Sequence, residues 1–264
     1  MSNISDKAVV SPKAKIGQDV TIYPFVYVED DVVIGDGCTI YPGVNLMNGT
    51  RLGKQNTIYQ NTVIGAQPQD FNYKGGNTLC VIGERNIIRE NVVINRATYE
   101  DGQTLIGNEN FIMEGVHISH DTKIGNKNVF GYGTKIAGDC EICDHVIFSS
   151  GVIANPAVRV GTAAMIQSGC RFSKDVPPYI VAGGHPIKYG GINAYVIDNL
   201  GITEKVKGHI ANAYRLVFHG QDAIVNVCAQ ISQQIPAGDE INEIVQFLKD
   251  SKLGIIAKIQ GAEA

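Results

Sequence analysis

Apolar side chains, nearly all of them aliphatic, occupy every sixth position along most of this 264-residue chain. One series runs from Ile4 to Ile64, a short one from Ile82 to Ile94, and a third from Ile106 to Phe172. A strict period of six fits neither the alternation of a half-buried strand nor the 3.6-residue period of a helix. It predicts a parallel β-helix. Each coil would have three flat faces, and each face would point one large and one small side chain inward, stacked about 4.8 Å from the next coil.

Glycine is the second part of the repeat. The chain contains 30 glycines, and many of them directly follow an in-phase aliphatic residue. These are Gly17, Gly35, Gly53, Gly65, Gly83, Gly107, Gly125 and Gly161. Because glycine adopts positive φ without a Cβ clash, we expect these residues to form the corners between the faces.

The repeat is interrupted at residues 66–81 and 96–104, and it stops after Phe172. Neither interruption fits a flat face, so both are predicted to project as loops from the scaffold, where binding groups are often found. Helical patterns follow the repeat. The predicted organisation is a β-helix over residues 1–190 and a C-terminal three-helix domain over residues 191–264.

The three expected tail helices have recognisable starts. Thr203 is a candidate N-cap for a helix that runs to Gly220, since a threonine hydroxyl accepts a hydrogen bond from the first turn. A second helix is expected from about Asp222 to Gln234. A third is expected to begin with Asp239 as its N-cap and to bury Ile241, Ile244, Val245 and Leu248.

The composition limits the classes of partner that the chain is expected to bind. The net charge of −4 gives no reason to expect nucleic acid or an anionic membrane, because both attract concentrated positive charge. No apolar run reaches the roughly 18 residues of a membrane span, and the first 25 residues do not have the order of a signal peptide, so we expect a cytoplasmic protein without stable membrane insertion. Four of the six cysteines stand at small inward positions and are expected to fill the core rather than bind metal: Cys38, Cys80, Cys140 and Cys170.

His117 and His120 flank the in-phase Ile118, and Asp121 follows. Since Ile118 points inward, both histidines are expected to face outward near a corner. An imidazole is the usual general base at neutral pH, and a carboxylate can fix its tautomer. Adjacent residues of an extended chain face opposite ways, so Asp121 is expected to orient groups of a neighbouring chain rather than its own His120. The alternative is that all three are solvated coil residues.

Metal binding is the other alternative for these histidines. The hexad-repeat prisms of gamma-class carbonic anhydrases hold zinc between subunits with three histidines. A catalytic zinc needs three protein ligands. The coils near residues 82–100 supply no third histidine, and Asn95 and Arg96 stand where one would be expected. We therefore expect no metal site.

Five segments of the chain together carry a family resemblance. They are Gln67-Pro-Gln-Asp70, Ile82-Gly-Glu-Arg-Asn-Ile-Ile-Arg-Glu-Asn91 with Val93-Ile-Asn-Arg96, Gly115-Val-His-Ile-Ser-His-Asp121 and Asp175-Val-Pro-Pro-Tyr179. In this order, over nearly the whole chain, they resemble the acyl-ACP–UDP-N-acetylglucosamine O-acyltransferases that open lipid A synthesis. The resemblance implies a left-handed β-helix homotrimer with active sites between subunits. It also implies transfer of a 3-hydroxyacyl chain from acyl carrier protein to the glucosamine 3-hydroxyl, without metal or another cofactor.

The resemblance also implies roles for single residues. His120 corresponds to the general base that takes the proton of the sugar hydroxyl, and Asp121 to the acid beside it. Gly138 corresponds to the glycine whose N–H stabilises the oxyanion. The remaining correspondences are with binding positions: Asp70 and His117 for the sugar, Asn193 near the nucleotide, and Met113 and Ser168 along the acyl groove. Where the family has glycine near Ser168, a side chain here implies a shorter accepted chain.

The chain departs from the family at several binding positions. Asn72 replaces a lysine, Asp139 a histidine, Asn155-Pro156 a histidine-glutamine pair, and Asn199-Leu200 the basic pair that meets the diphosphate. Charge-assisted hydrogen bonds are about twice as strong as neutral ones, so weaker binding of the UDP-sugar is expected.

Three functions therefore remain open. The first is the family's own reaction, the second is a related acyltransferase whose acceptor has no diphosphate, and the third is a non-catalytic binding module. Acyl carrier protein is the expected donor in the first two. A basic docking patch for it would use Arg85, Arg89, Arg96, Arg171 and Lys174, although an ordinary solvated surface explains these residues equally well.

Overall fold

A computed structural model describes residues 2–220 and 222–257 of the chain. Short strands, numbered in chain order, form three sheets that are the faces of a parallel β-helix.

Each sheet takes one strand from successive coils of the β-helix, and one sheet ends with an additional strand that pairs antiparallel with its neighbour. Sheet A contains β1 (Asn3–Ile4), β4 (Thr21–Ile22), β7 (Thr39–Ile40), β10 (Thr57–Ile58), β13 (Ile87–Ile88), β16 (Phe111–Ile112), β19 (Val129–Phe130), β22 (Ile147–Phe148), β25 (Met165–Ile166), β27 (Ile180–Gly183) and β28 (Lys188–Ile192). Sheet B contains β2 (Val9–Val10), β5 (Tyr27–Val28), β8 (Asn45–Leu46), β11 (Val63–Ala66), β14 (Val93–Asn95), β17 (His117–Ile118), β20 (Lys135–Ile136), β23 (Ile153–Ala154) and β26 (Arg171–Phe172). Sheet C contains β3 (Lys15–Ile16), β6 (Val33–Ile34), β9 (Thr50–Leu52), β12 (Leu79–Ile82), β15 (Gln103–Ile106), β18 (Lys123–Ile124), β21 (Glu141–Ile142) and β24 (Arg159–Val160).

The core is the stack of in-phase aliphatic residues. Neighbouring coils pair in register, so that Ile40 lies between Ile22 and Ile58 in sheet A. Every in-phase residue from Ile22 to Phe172 is buried. In the first coil Ile4 is 43% exposed, because no coil covers that end. The period of six therefore predicted the core correctly.

A ladder of buried asparagines runs through this core at the small inward positions of sheet A. Its members are Asn56, Asn86, Asn110 and Asn128. The Oδ1 of Asn86 accepts from both the backbone N–H and the side-chain amide of Asn110, at 2.9 and 3.0 Å. Asn56 accepts from Asn86 in the same way. Since a buried amide is stable only when it is hydrogen-bonded, each asparagine depends on the next.

The prediction that these positions are glycine because they need positive φ is wrong for all but one of the residues named. Apart from Gly65, with φ of 76°, none of them adopts positive φ. They are glycine because neighbouring coils approach closely there: a Cβ on Gly35 would lie 2.6 Å from the backbone of Gly53, and one on Gly53 would lie 2.5 Å from the carbonyl oxygen of Gly83. The left-handed corner residue lies further along the chain and is often not glycine, as at Gln55.

Both interruptions are shorter than predicted, because strands extend into them. β11 and β12 reduce the first loop to residues 67–78, and β14 and β15 reduce the second to residues 96–102. Thr98, in the second loop, is only 2% exposed. The second loop therefore packs at its base rather than projecting freely.

Up to residue 257, the described part of the tail contains one helix more than predicted. The helices are α1 (Ala194–Asn199), α2 (Glu204–His219), α3 (Ile224–Gln234) and α4 (Asp239–Asp250). Thr203 caps α2 through Val206 as predicted. The N-cap of α4 is Gly238 rather than Asp239, which is the first helical residue.

The boundary expected at residue 190 falls inside β28, which pairs antiparallel with β27 in sheet A. Helical structure therefore begins at Ala194, and the expected tail residues 258–264 lie outside the described part. The tail packs back onto the prism, where the Tyr214 hydroxyl donates to the Pro178 carbonyl at 2.5 Å. Across the described ranges, no helix is both long enough and apolar enough to cross a bilayer.

Candidate active site

One edge of the prism, where the chain turns from sheet B to sheet C, carries the candidate site. The loop 67–78 connects β11 to β12, and the loop 96–102 connects β14 to β15. His120 lies in the same kind of turn one coil further on, between β17 and β18. We call this edge the B–C edge. The in-register stacking of the coils therefore brings together segments that are far apart in sequence.

His120 lies between two carboxylates at this edge. Its Nδ1 is 2.8 Å from Oδ2 of Asp121, and its Nε2 is 3.6 Å from Oδ2 of Asp70. The three side chains are 13%, 14% and 22% exposed in the order His120, Asp121, Asp70. The prediction that Asp121 faces away from His120 is wrong. Asp121 has φ of 59°, so the chain is not extended here and the carboxylate turns back toward the imidazole.

A backbone donor holds the Asp121 carboxylate in place, and a hydroxyl acceptor holds its main chain. The Thr98 N–H lies 3.1 and 3.3 Å from the two carboxylate oxygens. The Asp121 N–H donates to the Thr104 hydroxyl at 2.9 Å. A carboxylate fixed at Nδ1 makes that nitrogen the N–H donor, which leaves Nε2 as the proton acceptor on the side of Asp70. The ring is therefore in the tautomer that a general base needs.

Gly138 lies directly under the His120 ring, one coil further along. A Cβ there would be 2.5 Å from Cε1 and 2.7 Å from Nε2 of His120, so only glycine leaves room for the imidazole. The residue is buried, and within residues 2–220 and 222–257 its N–H donates no hydrogen bond. A free N–H on a residue that packs against the imidazole is suited to binding a developing negative charge.

Two further titratable groups lie beside this cluster. Burial lowers the pKa of His117, and the nearby charges of Lys135 and His120 lower it further. Its Nε2 lies 3.0 Å from the Ser119 hydroxyl. Burial also raises the pKa of Asp139, where the charges of Asp121 and Asp70 act in the same direction and His120 opposes them.

The loop 67–78 brings Asp70 to the site through a local turn. The Asn72 N–H donates to Oδ1 of Asp70 at 2.8 Å, which fixes the carboxylate over its own loop. The Asn72 side chain is exposed. The Lys74 ammonium donates to the Phe71 carbonyl at 2.9 Å, within the loop. The loop therefore brings a carboxylate to the site, while the Lys74 ammonium is hydrogen-bonded to the loop's own backbone.

Three predicted binding residues lie away from the B–C edge. Met113 and Ser168 lie in turns from sheet A to sheet B, on a different edge of the prism. Asn193 is 2% exposed; its amide donates to the Ala163 carbonyl at 2.8 Å, and its Oδ1 accepts from the Val196 N–H to cap α1. The side chain of Asn193 is thus hydrogen-bonded within its own chain, and its place near the nucleotide stays a prediction.

The expected basic patch is not assembled on one face. Arg85 is paired with Glu84 and Glu109, and Arg89 with Glu90. Their turns lie on different edges of the prism, and Arg96 lies in the loop 96–102 at the B–C edge. Among the described residues, no three His, Cys, Asp or Glu side chains are arranged to hold a metal ion.

Sequence reasoning did not identify the residues that support the cluster. Four such residues contact the cluster or form a contact that anchors the loop 67–78, and no residue pattern indicates this role. They are Tyr73, Arg96, Thr98 and Thr104. The available signal was that all four lie within the two interruptions of the repeat, residues 66–81 and 96–104.

Comparisons with known proteins point in one direction. A sequence profile described as UDP N-acetylglucosamine O-acyltransferase, domain 2, matches residues 175–256, and a bacterial transferase hexapeptide profile matches residues 13–47 and 103–138. The acyl-[acyl-carrier-protein]–UDP-N-acetylglucosamine O-acyltransferase of Thermodesulfovibrio yellowstonii is 34% identical over 97% of this chain and 99% of its own.

Solved structures agree with the sequence comparison. A UDP-N-acetylglucosamine acyltransferase from Bacteroides fragilis superposes with a TM-score of 0.94 at 45% identity, covering 96% of this chain and 99% of the other. The Francisella novicida UDP-N-acetylglucosamine acyltransferase gives 0.93 at 32% identity, covering 97% and 95%. These similarities confirm the left-handed parallel β-helix with a helical C-terminal part.

Proposed function

Because the chain belongs to the acyl-[acyl-carrier-protein]–UDP-N-acetylglucosamine O-acyltransferase family, we propose that it catalyses the family reaction with His120 as general base. The donor is a 3-hydroxyacyl thioester of acyl carrier protein. The acceptor is the 3-hydroxyl of UDP-N-acetylglucosamine, and the product enters lipid A biosynthesis as its first intermediate.

The geometry of the cluster supports a two-stage acyl transfer. Nε2 of His120 takes the proton of the sugar hydroxyl while that oxygen attacks the thioester carbonyl carbon. The Asp121 carboxylate, 2.8 Å from Nδ1, stabilises the imidazolium that forms. When the tetrahedral intermediate collapses, the C–S bond breaks and the imidazolium returns the proton to the leaving thiolate. The ester and the free thiol of the carrier protein are the products.

Gly138 supplies the oxyanion donor in this proposal. Its N–H donates no hydrogen bond within residues 2–220 and 222–257, and it is proposed to bind the negative charge that develops on the attacked carbonyl oxygen. A single donor of this kind is typically worth about 10²–10³ in kcat. Asp70, Asn72 and His117 line the same edge and are proposed to contact the sugar. A neutral His117 suits this role, since burial lowers its pKa.

The quaternary structure is proposed to be a homotrimer with each site shared between chains. The general base and oxyanion donor lie on the B–C edge, whereas Met113 and Ser168, the proposed acyl-groove residues, lie on the edge between sheets A and B. Side-by-side packing would place the B–C edge of one chain against the edge between sheets A and B of its neighbour. The expected compartment is the cytoplasm, which agrees with six free cysteine thiols, since thiols persist in a reducing environment.

The observation that carries the proposal is the contact of His120 with both Asp121 and the Gly138 backbone. The test is acyl transfer from 3-hydroxyacyl carrier proteins to UDP-N-acetylglucosamine, followed by mass spectrometry of the products. His120→Gln is expected to lower kcat by about 10²–10⁴, the range for loss of a general base. His185→Gln, at an exposed turn, is the control and is expected to match the unchanged protein. Full activity of the His120 variant would exclude this mechanism.

A further inference from the structure

The loop 67–78 has few means of holding itself in place. Phe71 is fully exposed, Asn72 and residues 74–77 are exposed, and no strand or helix forms between residues 67 and 78. A loop without a core of its own keeps one position only through contacts at its anchors. Since this loop carries Asp70, those anchors decide where that carboxylate lies relative to His120.

In the described part of the chain, three side chains anchor this loop. The Asn95 amide donates to the Gln67 carbonyl at 2.7 Å and the Glu100 carboxylate accepts from the Asn77 N–H at 3.2 Å, near the two ends of the loop.

The third anchor, in the middle of the loop, comes from Arg96. The Arg96 guanidinium donates from Nη2 to the Tyr73 hydroxyl at 2.8 Å, and its Cζ lies 5.7 Å from the centre of the Tyr73 ring. Nη1 of Arg96 donates to the carbonyls of Asn48 and Gly65, each at 3.0 Å. With one end of the planar guanidinium fixed on backbone, the other end presents a donor to Tyr73 in a defined direction.

The same loop also holds the second carboxylate of the cluster. The Thr98 N–H donates to Asp121, and Thr98 lies two residues after Arg96 at the buried base of the loop 96–102. The segment from Arg96 to Thr98 therefore supports both carboxylates of the cluster. It binds Asp121 directly through Thr98, and it holds the loop that carries Asp70 through Tyr73. The spacing of the two carboxylates around the imidazole is set from this segment.

We propose that Arg96 is a positioning residue that acts through Tyr73 to hold Asp70 near Nε2 of His120. This proposal rests on the proposed function, in which Asp70 contacts the sugar acceptor. The contact between Asp70 and the sugar places the acceptor hydroxyl against Nε2 of His120. Loss of the hydrogen bond between Arg96 and Tyr73 lets the loop 67–78, and Asp70 with it, move away. A displacement of about 1 Å at a reacting centre can cost about 10² in rate, so a change at Tyr73 reaches the chemistry without touching the substrate.

The test uses Tyr73→Phe, which removes only the hydroxyl that accepts from Arg96. It is expected to raise KM for UDP-N-acetylglucosamine about tenfold and to leave KM for the acyl carrier protein donor unchanged. Tyr99→Phe is the matched control, because Tyr99 lies in the loop 96–102 with 57% of its surface exposed. Arg96→Lys is expected to act in the same direction.

A double-mutant cycle separates positioning from general loss of structure. If Tyr73 acts through Asp70, the Tyr73→Phe/Asp70→Asn variant is no worse than Asp70→Asn alone. Additive losses, or a Tyr73→Phe enzyme equal to the unchanged one, would overturn the proposal. An Asp70→Asn enzyme with unchanged kinetics would overturn it as well.

Amide hydrogen exchange gives a readout that does not depend on activity. Tyr73→Phe and Arg96→Lys are expected to accelerate exchange in residues 67–78 and to leave β17 unchanged. Unchanged exchange in the loop would contradict the anchor even in an inactive preparation. Absence of acyl transfer by the unchanged protein, with accelerated loop exchange in the variants, would instead count against the proposed function alone.

Discussion

At the scale of single residues, the site depends on a corner that bends the chain and a glycine that makes room. Asp121 adopts φ of 59°, and this left-handed turn brings its carboxylate to its own His120. Aspartate tolerates that region better than most residues. Because the sequence pattern shows only that a corner is near, the pairing within one chain was not predictable from the alternation of side chains.

Gly138→Ala tests the close approach at this corner. The new Cβ would lie within 3 Å of the His120 ring and would push the imidazole away from the place where Nε2 meets the acceptor. We expect kcat to fall by about 10²-fold or more, because a displacement of about 1 Å at the reacting centre can cost that much in rate. Gly208→Ala, on α2 with no atom within 4 Å of the added methyl, is the control. It is expected to keep full activity and gain about 1 kcal/mol of stability.

His117 gives a prediction for the pH dependence of stability. Burial holds its pKa below 6.5 in the folded protein, so the unfolded chain binds more protons as the pH falls below about 6.5. The stability present at neutral pH is therefore lost progressively on acidification through that window and then through the lower pKa of the folded state. His117→Gln is expected to flatten the fall in Tm between about pH 7 and pH 5. An equally steep fall in the variant would contradict this assignment.

At the scale of elements, the strands were predictable and the turns were not. Inward stacking of one aliphatic residue per face follows from periodicity alone, and every in-phase residue from Ile22 to Phe172 is buried as expected. The corners depend on which residue takes positive φ, and this is decided by the packing of one coil on the next. Helix α1 was missed because Asn193, its cap, follows directly on β28 without a polar linker.

The asparagine ladder gives the second stability prediction. Valine is common at the small inward positions, so Asn86→Val introduces a side chain that suits the position. It nevertheless removes Oδ1 of Asn86, the acceptor of the Asn110 backbone N–H and of one Asn110 amide hydrogen. A buried unpaired donor costs about 1–3 kcal/mol, so we expect a total loss of about 2–5 kcal/mol in urea unfolding. Cys38→Val lies in the same inward column, below the ladder, and is expected to cost less than about 1 kcal/mol. Equal losses for the two variants would show that the amide bonds contribute little.

At the scale of the whole molecule, the candidate site residues are divided among edges of one prism. A trimer is expected to give a solution mass three times the 28.4 kDa of one chain. Co-expression of His120→Gln chains with Met113→Arg chains is expected to restore part of the activity that each variant lacks alone, since some sites would combine two unaltered edges. A single-chain mass, or no recovery in mixed assemblies, would contradict the shared site.

The prism has consequences for how this molecule responds to a ligand. Each coil is fixed by backbone hydrogen bonds to the coils on either side, so the scaffold offers no hinge about which two halves could close. Adaptation to different acceptors must then fall to the exposed residues of the loop 67–78 and to the side chains that border the edge. The range of acceptors can thus change between relatives through substitutions at a few positions, while the β-helix that carries these positions keeps its shape.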